Sequence, residues 1–439
     1  MPATVAEAIE AATARYVDKN PRSKPLFEKA KASLPGGNTR TLLYAAPFPI
    51  IIRKGEGHKL IDEDGNVYQD FVGEMSAGLF GHSHPRLQEA IISAVKNVGL
   101  SLGATNPYEQ RYAELICSRF DIDRIRFTNS GTEANLHCLA AARRYTGRHK
   151  IMVFRGGYHG SVLSFPSDAS PNNVDLGDWV IVQYNDPDGV KKAFSENKDI
   201  AAVIVEAIQG HGVIPATVEF LKTIRDETTK AGAIFIIDEV VTSRLSPGGL
   251  RKLLGIEPDL ITLGKYLGGG MPFGAFGGRA DIMSVYDPSV PGSLTHNGTF
   301  QNNTVMLNAG YVGMSEVYTA DAVELLNNRG EHMRRKLAEV FKGTKFCVTG
   351  RGSLMCVHAT NTGMQPSQMT CWDDIAAVDA LDLRKLFWLD LLDAGFWVQP
   401  RGSIALNLQT PEEAIREFID ATARFCDKYR ALVALPNAS

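Results

Sequence analysis

At 439 residues, with 44% hydrophobic and 22% charged positions, the chain has ample material for a large buried core, which excludes disorder, collagen and a disulfide-stapled miniprotein. Its 46 basic and 49 acidic side chains leave a formal charge of -3, so no cationic surplus exists to neutralise a nucleic acid backbone. The length fits two or three domains, or one large α/β domain with a smaller satellite.

In chain order, the first twenty residues place Glu7, Glu10 and Asp18 among alanines, the pattern of an amphipathic helix and not of a signal peptide. Pro35-Gly36-Gly37-Asn38 then punctuates the chain, and Ile50–Phe71 alternates β-rich runs around Asp64-Gly65-Asn66, which reads as a hairpin. From about 105 to 280 short apolar runs recur at Ile125–Thr128, Lys150–Phe154, Ala202–Val205, Ile234–Ile237 and Leu260–Leu263, usually followed by a turn and a helical pattern. Repeated β-then-α predicts a mostly parallel, doubly wound sheet. Helices are marked at Thr132–Tyr145, stopped by Gly147, and at Val218–Ala231, stopped by Gly232. Beyond about 315 the pattern changes to a helix over Asp321–Phe341, a polar stretch with Pro366 and Ser367, and a helix over Ile375–Ala394, which suggests a smaller α+β domain. The apolar runs fall far short of the ~20 residues a bilayer requires, and a cytoplasmic protein is the expectation. The six cysteines form no C-x-x-C pair and have no histidine at metal-ligand spacing, so reduced thiols and no metal are expected.

Four elements carry chemistry. In Thr128-Asn129-Ser130-Gly131-Thr132-Glu133-Ala134-Asn135 a strand turns through a hydroxyl-rich loop into a helix, whose N-terminus can hold a phosphate or merely be capped by Ser130. Gly156-Gly157-Tyr158-His159-Gly160 presents an aromatic ring between glycines, able to lie flat on another ring or to pack a turn. Ile236-Ile237-Asp238-Glu239-Val240 ends an apolar strand in two acids, suited to a protonated ring nitrogen, a magnesium ion or a cap; the ion reading weakens because Gly264-Lys265 belongs to no Walker loop. Thr262-Leu263-Gly264-Lys265-Tyr266-Leu267-Gly268-Gly269-Gly270 sets a lysine at a strand end, either exposed or buried for Schiff-base chemistry.

Pyridoxal 5′-phosphate needs an anion cradle, a flat partner, a carboxylate and an amine together. Here the sequence closely resembles the class III pyridoxal-phosphate aminotransferases of fold type I, in the branch of β-phenylalanine aminotransferase and glutamate-1-semialdehyde aminomutase, from about Pro35 to Arg401. The resemblance implies an α/β chain whose large domain holds a mostly parallel sheet of seven-stranded type flanked by helices, with a smaller α+β domain. The expected division is an N-terminal segment over 1–70 that joins the small domain, a cofactor domain over 71–312 and a small domain over 313–439. It further implies that Lys265 condenses with the cofactor aldehyde, that Asp238 pairs with the pyridine nitrogen, that Ser130, Gly131 and Thr132 hold the phosphate, and that Tyr158 and Val240 cover the two ring faces. His159 and Glu206 complete the expected cofactor contacts. Thr299, in Gly298-Thr299-Phe300, resembles the residue that reaches a neighbouring subunit's phosphate, which implies a homodimer.

Arg40 and Arg401 resemble the family's carboxylate-holding arginines, whose guanidinium forks match a carboxylate's two oxygens. Met75 and His211 are further candidates for the substrate pocket. Two departures stand out: many relatives read Glu-Pro-x-Gln-Gly-Glu where this chain has Glu206-Ala207-Ile208-Gln209-Gly210-His211, and Val241 occupies a position that often carries glutamine or methionine. The implied activity is transfer of an amino group from a β-amino acid or related amine to a 2-oxo acid. The alternatives are an aminomutase, which needs no external acceptor, and a catalytically silent binding protein.

Overall fold

The computed structural model describes residues 4–165 and 176–436. Residues 166–175 of the loop over 161–178, on which pocket shape was expected to depend, lie outside the described residues. Two compact units emerge, one from Met1–His84, Asn328–Gln368 and Ala376–Ser439, the other from Pro85–Asn327 and Met369–Ile375.

In the first unit the helix Val5–Lys19 opens on a reciprocal cap, Glu7 N–H donating to Thr4 Oγ1 at 3.2 Å and Thr4 N–H to the Glu7 carboxylate at 3.3 Å. It rests on the helix Leu381–Asp393, with Tyr16 against Trp388 at 5.8 Å between ring centroids. The expected hairpin is instead a meander of Ile52–Glu56, Lys59–Asp62 and Val67–Asp70, to which Phe396–Trp397 adds a parallel strand. A further antiparallel sheet joins Phe346–Arg351, Leu354–Ala359 and Ser403–Ala405. The single helix expected over Ile375–Ala394 is two, Trp372–Ala376 and Leu381–Asp393. Between them Asp379 bridges Thr360, and Ala380 N–H donates to the Ala359 carbonyl at 2.9 Å, so sheet-type pairing outcompetes continuation of the helix.

The second unit is built on seven strands: β1 (Arg124–Thr128), β2 (Lys150–Phe154), β3 (Trp179–Val182), β4 (Ile200–Glu206), β5 (Ile234–Asp238), β6 (Leu260–Gly264) and β7 (Gly274–Gly278). Their order in space is β1-β7-β6-β5-β4-β2-β3. Only β7 runs against its neighbours, so the mostly parallel sheet expected from the β-then-α rhythm is present. Every residue of β4, β5 and β6 is buried, which is why they read as unbroken apolar runs: helices cover both faces of such a sheet.

Helix α1 (Gly131–Thr146) starts at the Ser130 N-cap, ends at Gly147 and lays Ala134, Cys138, Leu139, Ala141 and Ala142 into the core. Helix α2 (Val218–Ala231) starts at Thr217, whose hydroxyl accepts from Phe220 N–H, and stops at Gly232. Because the parallel strands share a direction, the ends of β1, β4, β5 and β6 bring Thr128, Glu206, Asp238 and Gly264 to one edge of the sheet, where ligands bind in open α/β folds.

Strand β7 escapes a reading by apolar pattern because Gly274, Gly277 and Gly278 leave it few side chains. The reason is crowding: a Cβ on Gly274 would stand 2.0 Å from the Ser130 carbonyl oxygen, and one on Gly277 would stand 2.3 Å from that of Arg124. Gly274→Ala should therefore push the Ser130 loop aside and cost about 2–3 kcal/mol of stability by overpacking, to be read from the urea unfolding midpoint.

Candidate active site

At the end of β5, Asp238 is only 4% exposed yet has its oxygens satisfied by three donors. Asn135 Nδ2 and His159 Nδ1 each donate to Oδ2 at 2.9 Å, and Val240 N–H donates to Oδ1 at 3.0 Å. Asn135 is itself oriented by Thr262, whose hydroxyl donates to Asn135 Oδ1 at 2.7 Å, and it also donates to the His159 carbonyl at 2.9 Å. Burial works against a charge on His159, but the bond to Asp238 and the charge of that carboxylate override it and lift the imidazole above its ordinary range. The result is a buried acid anchored on one oxygen by an imidazole and an amide, so its desolvated oxygens are hydrogen-bonded.

The adjacent acid does different work. Glu239 is fully buried and accepts from Arg251 N–H at 2.8 Å, Leu250 N–H at 3.3 Å and the Thr242 hydroxyl at 2.7 Å, so it braces the following loop. Of the two acids at this strand end, Asp238 alone belongs to the cluster of expected cofactor residues.

Just past β1, which β7 and β6 separate from β5, Ser130 caps α1, its hydroxyl accepting from Glu133 N–H at 3.2 Å, while the Glu133 carboxylate turns back to Asn129 N–H at 3.0 Å. A 16-residue helix thus begins at Gly131, with its positive end at this loop. A Cβ on Gly131 would come 2.9 Å from Val240 Cγ2, and one on Gly160, at φ +117°, would meet Thr132 Oγ1 at 2.2 Å. At both glycines a neighbouring side chain leaves no room for a Cβ, and the backbone N–H groups and hydroxyls of this helix start fit an anion. Val240 also packs beside Gly264, since a Cβ there would meet Val240 Cγ1 at 3.1 Å, so this valine spaces the Ser130 loop from the residue preceding Lys265.

Lys265 is the first residue after β6 and holds φ +56°, a conformation costly for any residue with a side chain. It is half-buried. Its strand pairs with β5 so that Thr262 stands opposite Asp238.

Tyr158 leaves 41% of its surface exposed and sits edge-on to His211 at 6.1 Å between centroids. The turn bearing it is fastened by the loop after β4. Tyr158 N–H donates to Glu206 Oε2 at 2.9 Å, Gln209 Nε2 to the Arg155 carbonyl at 2.7 Å, and His211 Nδ1 to the Gly156 carbonyl at 3.0 Å. Trp372 packs on the far side of His211 at 5.6 Å. Glu206 spends its other oxygen on Gly210 N–H at 2.8 Å, so its carboxylate binds backbone at both ends. Burial pushes Glu206 up from its ordinary value to about 7, with His159 pulling it down and Asp238 pushing it up.

Ser130, Gly131, Thr132, Tyr158, His159, Glu206, His211, Asp238, Val240 and Lys265 therefore gather in the second unit. Thr299 belongs to it as well, exposed in the turn where Gln301 N–H donates to Gly298 O at 3.2 Å. Arg40, Met75 and Arg401 belong to the first unit. There Arg40 is paired with Glu74, Met75 holds φ +53°, and Arg401 is exposed in the turn closed by Gly402 N–H to Gln399 O at 3.0 Å. Sequence reasoning assigned no role to Asn135, Thr262, Gln209 or Glu74. Asn135 carries a signal in hindsight, a polar residue one turn into α1 on its buried face.

The chain matches the family model described as aminotransferase class-III over residues 44–421. It is 49% identical to an uncharacterised aminotransferase of Schizosaccharomyces pombe over 93% of both chains, and 43% identical to the β-phenylalanine transaminase of Variovorax paradoxus over 100% of this chain and 99% of that one. A glutamate-1-semialdehyde 2,1-aminomutase of Acetivibrio thermocellus is 37% identical over 86% of this chain and 91% of its own. Among solved structures, the β-phenylalanine aminotransferase of Variovorax paradoxus superposes with a TM-score of 0.95 over 99% of this chain and 100% of that one, and a transaminase with PLP bound superposes with 0.85 at 32% identity, over 94% and 98%.

A carboxyl group whose folded pKa lies above its unfolded value favours the fold most where it stays protonated. The Glu206 contribution is thus full below about 4.5, shrinks as pH rises, and is exhausted above about 7. Glu206→Gln removes this titration, so the stability of the parent measured against the variant should decline across that window, a trend that paired denaturation midpoints would reveal.

Proposed function

We propose, from a chain that belongs to the class III pyridoxal-phosphate-dependent aminotransferases, that it moves the amino group of a β-amino acid, with an aryl side chain like that of β-phenylalanine, or of a related amine, to a 2-oxo acid. The observation that supports this choice of donor is the end-to-end match to the β-phenylalanine transaminase, at 43% identity and a TM-score of 0.95.

The bound cofactor supplies an aldehyde that takes up the amine and a cationic ring that accepts electrons from the carbon losing its proton. Lys265 Nζ would hold that aldehyde and, once displaced by substrate, would carry the proton that leaves the substrate carbon. Its strained backbone at the close of β6 fixes where Nζ starts. Asp238 would accept the N–H of the ring nitrogen, its carboxylate held in place by Asn135 and His159. Ser130, Gly131 and Thr132 bind the phosphate at the start of α1. Tyr158 and Val240 would cover the cofactor's ring. Thr299 reaches the phosphate of a second copy, which makes a homodimer the working unit. Arg40 and Arg401 are the proposed carboxylate holders, and Met75 and His211 are each further candidates for contact with the substrate.

A second reading, isomerisation of glutamate-1-semialdehyde, is favoured by the 37% identity to an aminomutase. Arg401 speaks against it, because aminomutase sequences of this branch generally lack an arginine there. A screen of β-phenylalanine and simple arylalkyl amines against 2-oxoglutarate and pyruvate should show acceptor-dependent transfer from β-phenylalanine. Turnover of glutamate-1-semialdehyde without an acceptor, and no transfer, would reverse the choice. Borohydride reduction and peptide mapping should label Lys265. Asp238→Ala should lower kcat by at least about a hundredfold, the scale of losing one preorganised charge at the reacting centre; near-normal turnover would contradict its role.

A further inference from the structure

In the first unit, Arg40 Nη1 donates to Glu74 Oε1 at 2.6 Å, with the two side chains 48% and 51% exposed. Glu74 lies in an unusual stretch of backbone. Gly73, Glu74, Met75 and Ser76 hold φ of 52°, 48°, 53° and 75°, so three side-chain-bearing residues in succession occupy the left-handed region.

The surroundings enforce this geometry. Asp70 Oδ1 accepts from Val72 N–H at 2.8 Å and Gly73 N–H at 3.1 Å, and a Cβ on Gly73 would stand 2.6 Å from the Ala405 carbonyl. The run closes on itself through Ala77 N–H to Glu74 O at 3.1 Å and Gly78 N–H to Gly73 O at 2.8 Å. Backbone strain so thoroughly over-determined marks a position held for function. The ion pair at its tip is no explanation in terms of stability, because pairs this exposed contribute little to folding. What the strained turn does achieve is to put a carboxylate on the arginine proposed above to hold the substrate's carboxylate. The acid that many class III sequences carry at position 211 is a histidine in this chain.

We infer that Glu74 is a built-in stand-in for the substrate's carboxylate: it occupies the Arg40 fork while no acid is bound and yields it when a β-amino acid or 2-oxo acid arrives. The inference rests on the reading of Arg40 as a carboxylate residue. Each exchange replaces one carboxylate by another, so the guanidinium is never left without an anion. An amine donor lacking a carboxylate leaves the pair closed. Glu74 is therefore a specificity-determining residue, setting how strongly acids are preferred over plain amines.

The test uses the full-length holoenzyme and two probes: 3-phenylpropanoate, which has no amine to transfer, in calorimetric titrations, and the KM of β-phenylalanine divided by that of 1-phenylethylamine. Glu74→Gln should tighten 3-phenylpropanoate and lower the KM ratio by about two- to fivefold, the worth of an exposed ion pair that no longer competes. Glu74→Asp should lie between this variant and the parent. Arg40→Gln should weaken the acid probe and raise the ratio. If Arg40→Gln does so while Glu74→Gln leaves both readings unchanged or moves them the other way, the stand-in is overturned and the role of Arg40 survives. If Arg40→Gln moves neither reading, the assignment of Arg40 falls and the stand-in falls with it.

Discussion

A buried carboxylate at the end of β5 is the constraint around which the second unit is arranged. An ionised acid out of water must be paired and hydrogen-bonded or it loses its charge. Asp238 meets that demand with His159, Asn135 and the Val240 N–H, and each donor comes from a different stretch of chain. Asn135 is brought by α1, His159 by the turn after β2, and Thr262 of β6 orients Asn135 in turn. Helix, turn and two strands are thereby registered to one pair of oxygens. The residues proposed to hold the phosphate and the reactive amine inherit their positions from this registration, because Ser130 starts the helix that carries Asn135, and Lys265 follows the strand that carries Thr262.

Three acids at neighbouring strand ends show how donors decide function. Asp238 spends one oxygen on Asn135 and His159 together and takes only the Val240 N–H on the other, which leaves it capacity to accept a ligand proton. Glu239 is consumed by Arg251, Leu250 and Thr242, and Glu206 by Tyr158 and Gly210, so both act on the chain itself. Glu206, a candidate cofactor contact, ties β4 to the turn presenting Tyr158 through these bonds. With Gln209 and His211 holding the carbonyls of Arg155 and Gly156, that turn is fastened at three successive points, and the exposed face of Tyr158 stays where a ring can meet it.

Apolar runs predicted the central strands because a sheet covered on both faces has no polar side to confuse the pattern, and Gly147 and Gly232 marked the helix ends because left-handed caps favour glycine. Strand β7 was invisible because the backbones around it come too close for side chains, so its composition mimics a loop. The false continuity across Ile375–Ala394 has a tertiary cause, the pairing of Asp379 with Thr360. The motifs of the site were legible because each function needs a particular residue type at a strand or helix end. Asn135 and Thr262 were not assigned because their value lies in meeting across two elements, which spacing along the chain does not encode. Glu74 was missed for a related reason: its neighbours look like an ordinary Gly-containing loop, and only the backbone angles show what is being held.

Cofactor chemistry and substrate choice are carried by different kinds of structure. Of the residues proposed for the cofactor, Asp238 ends β5 and Lys265 follows β6, strands whose every residue is buried, while Ser130 caps a 16-residue helix. The candidate substrate residues Arg40, Met75 and Arg401 lie in turns and loops, where sequence changes cost the core nothing. A family can therefore keep one reaction while changing its substrates. A histidine at 211, where relatives often carry glutamate, fits that division: the ring is built into the fastening of the Tyr158 turn and has left the pool of acids available to an arginine. The only acid ion-paired with Arg40 among the described residues is Glu74, which offers that guanidinium a carboxylate when the substrate brings none. The strain stored in residues 73–76 is then the cost of keeping that anion within reach without burying it.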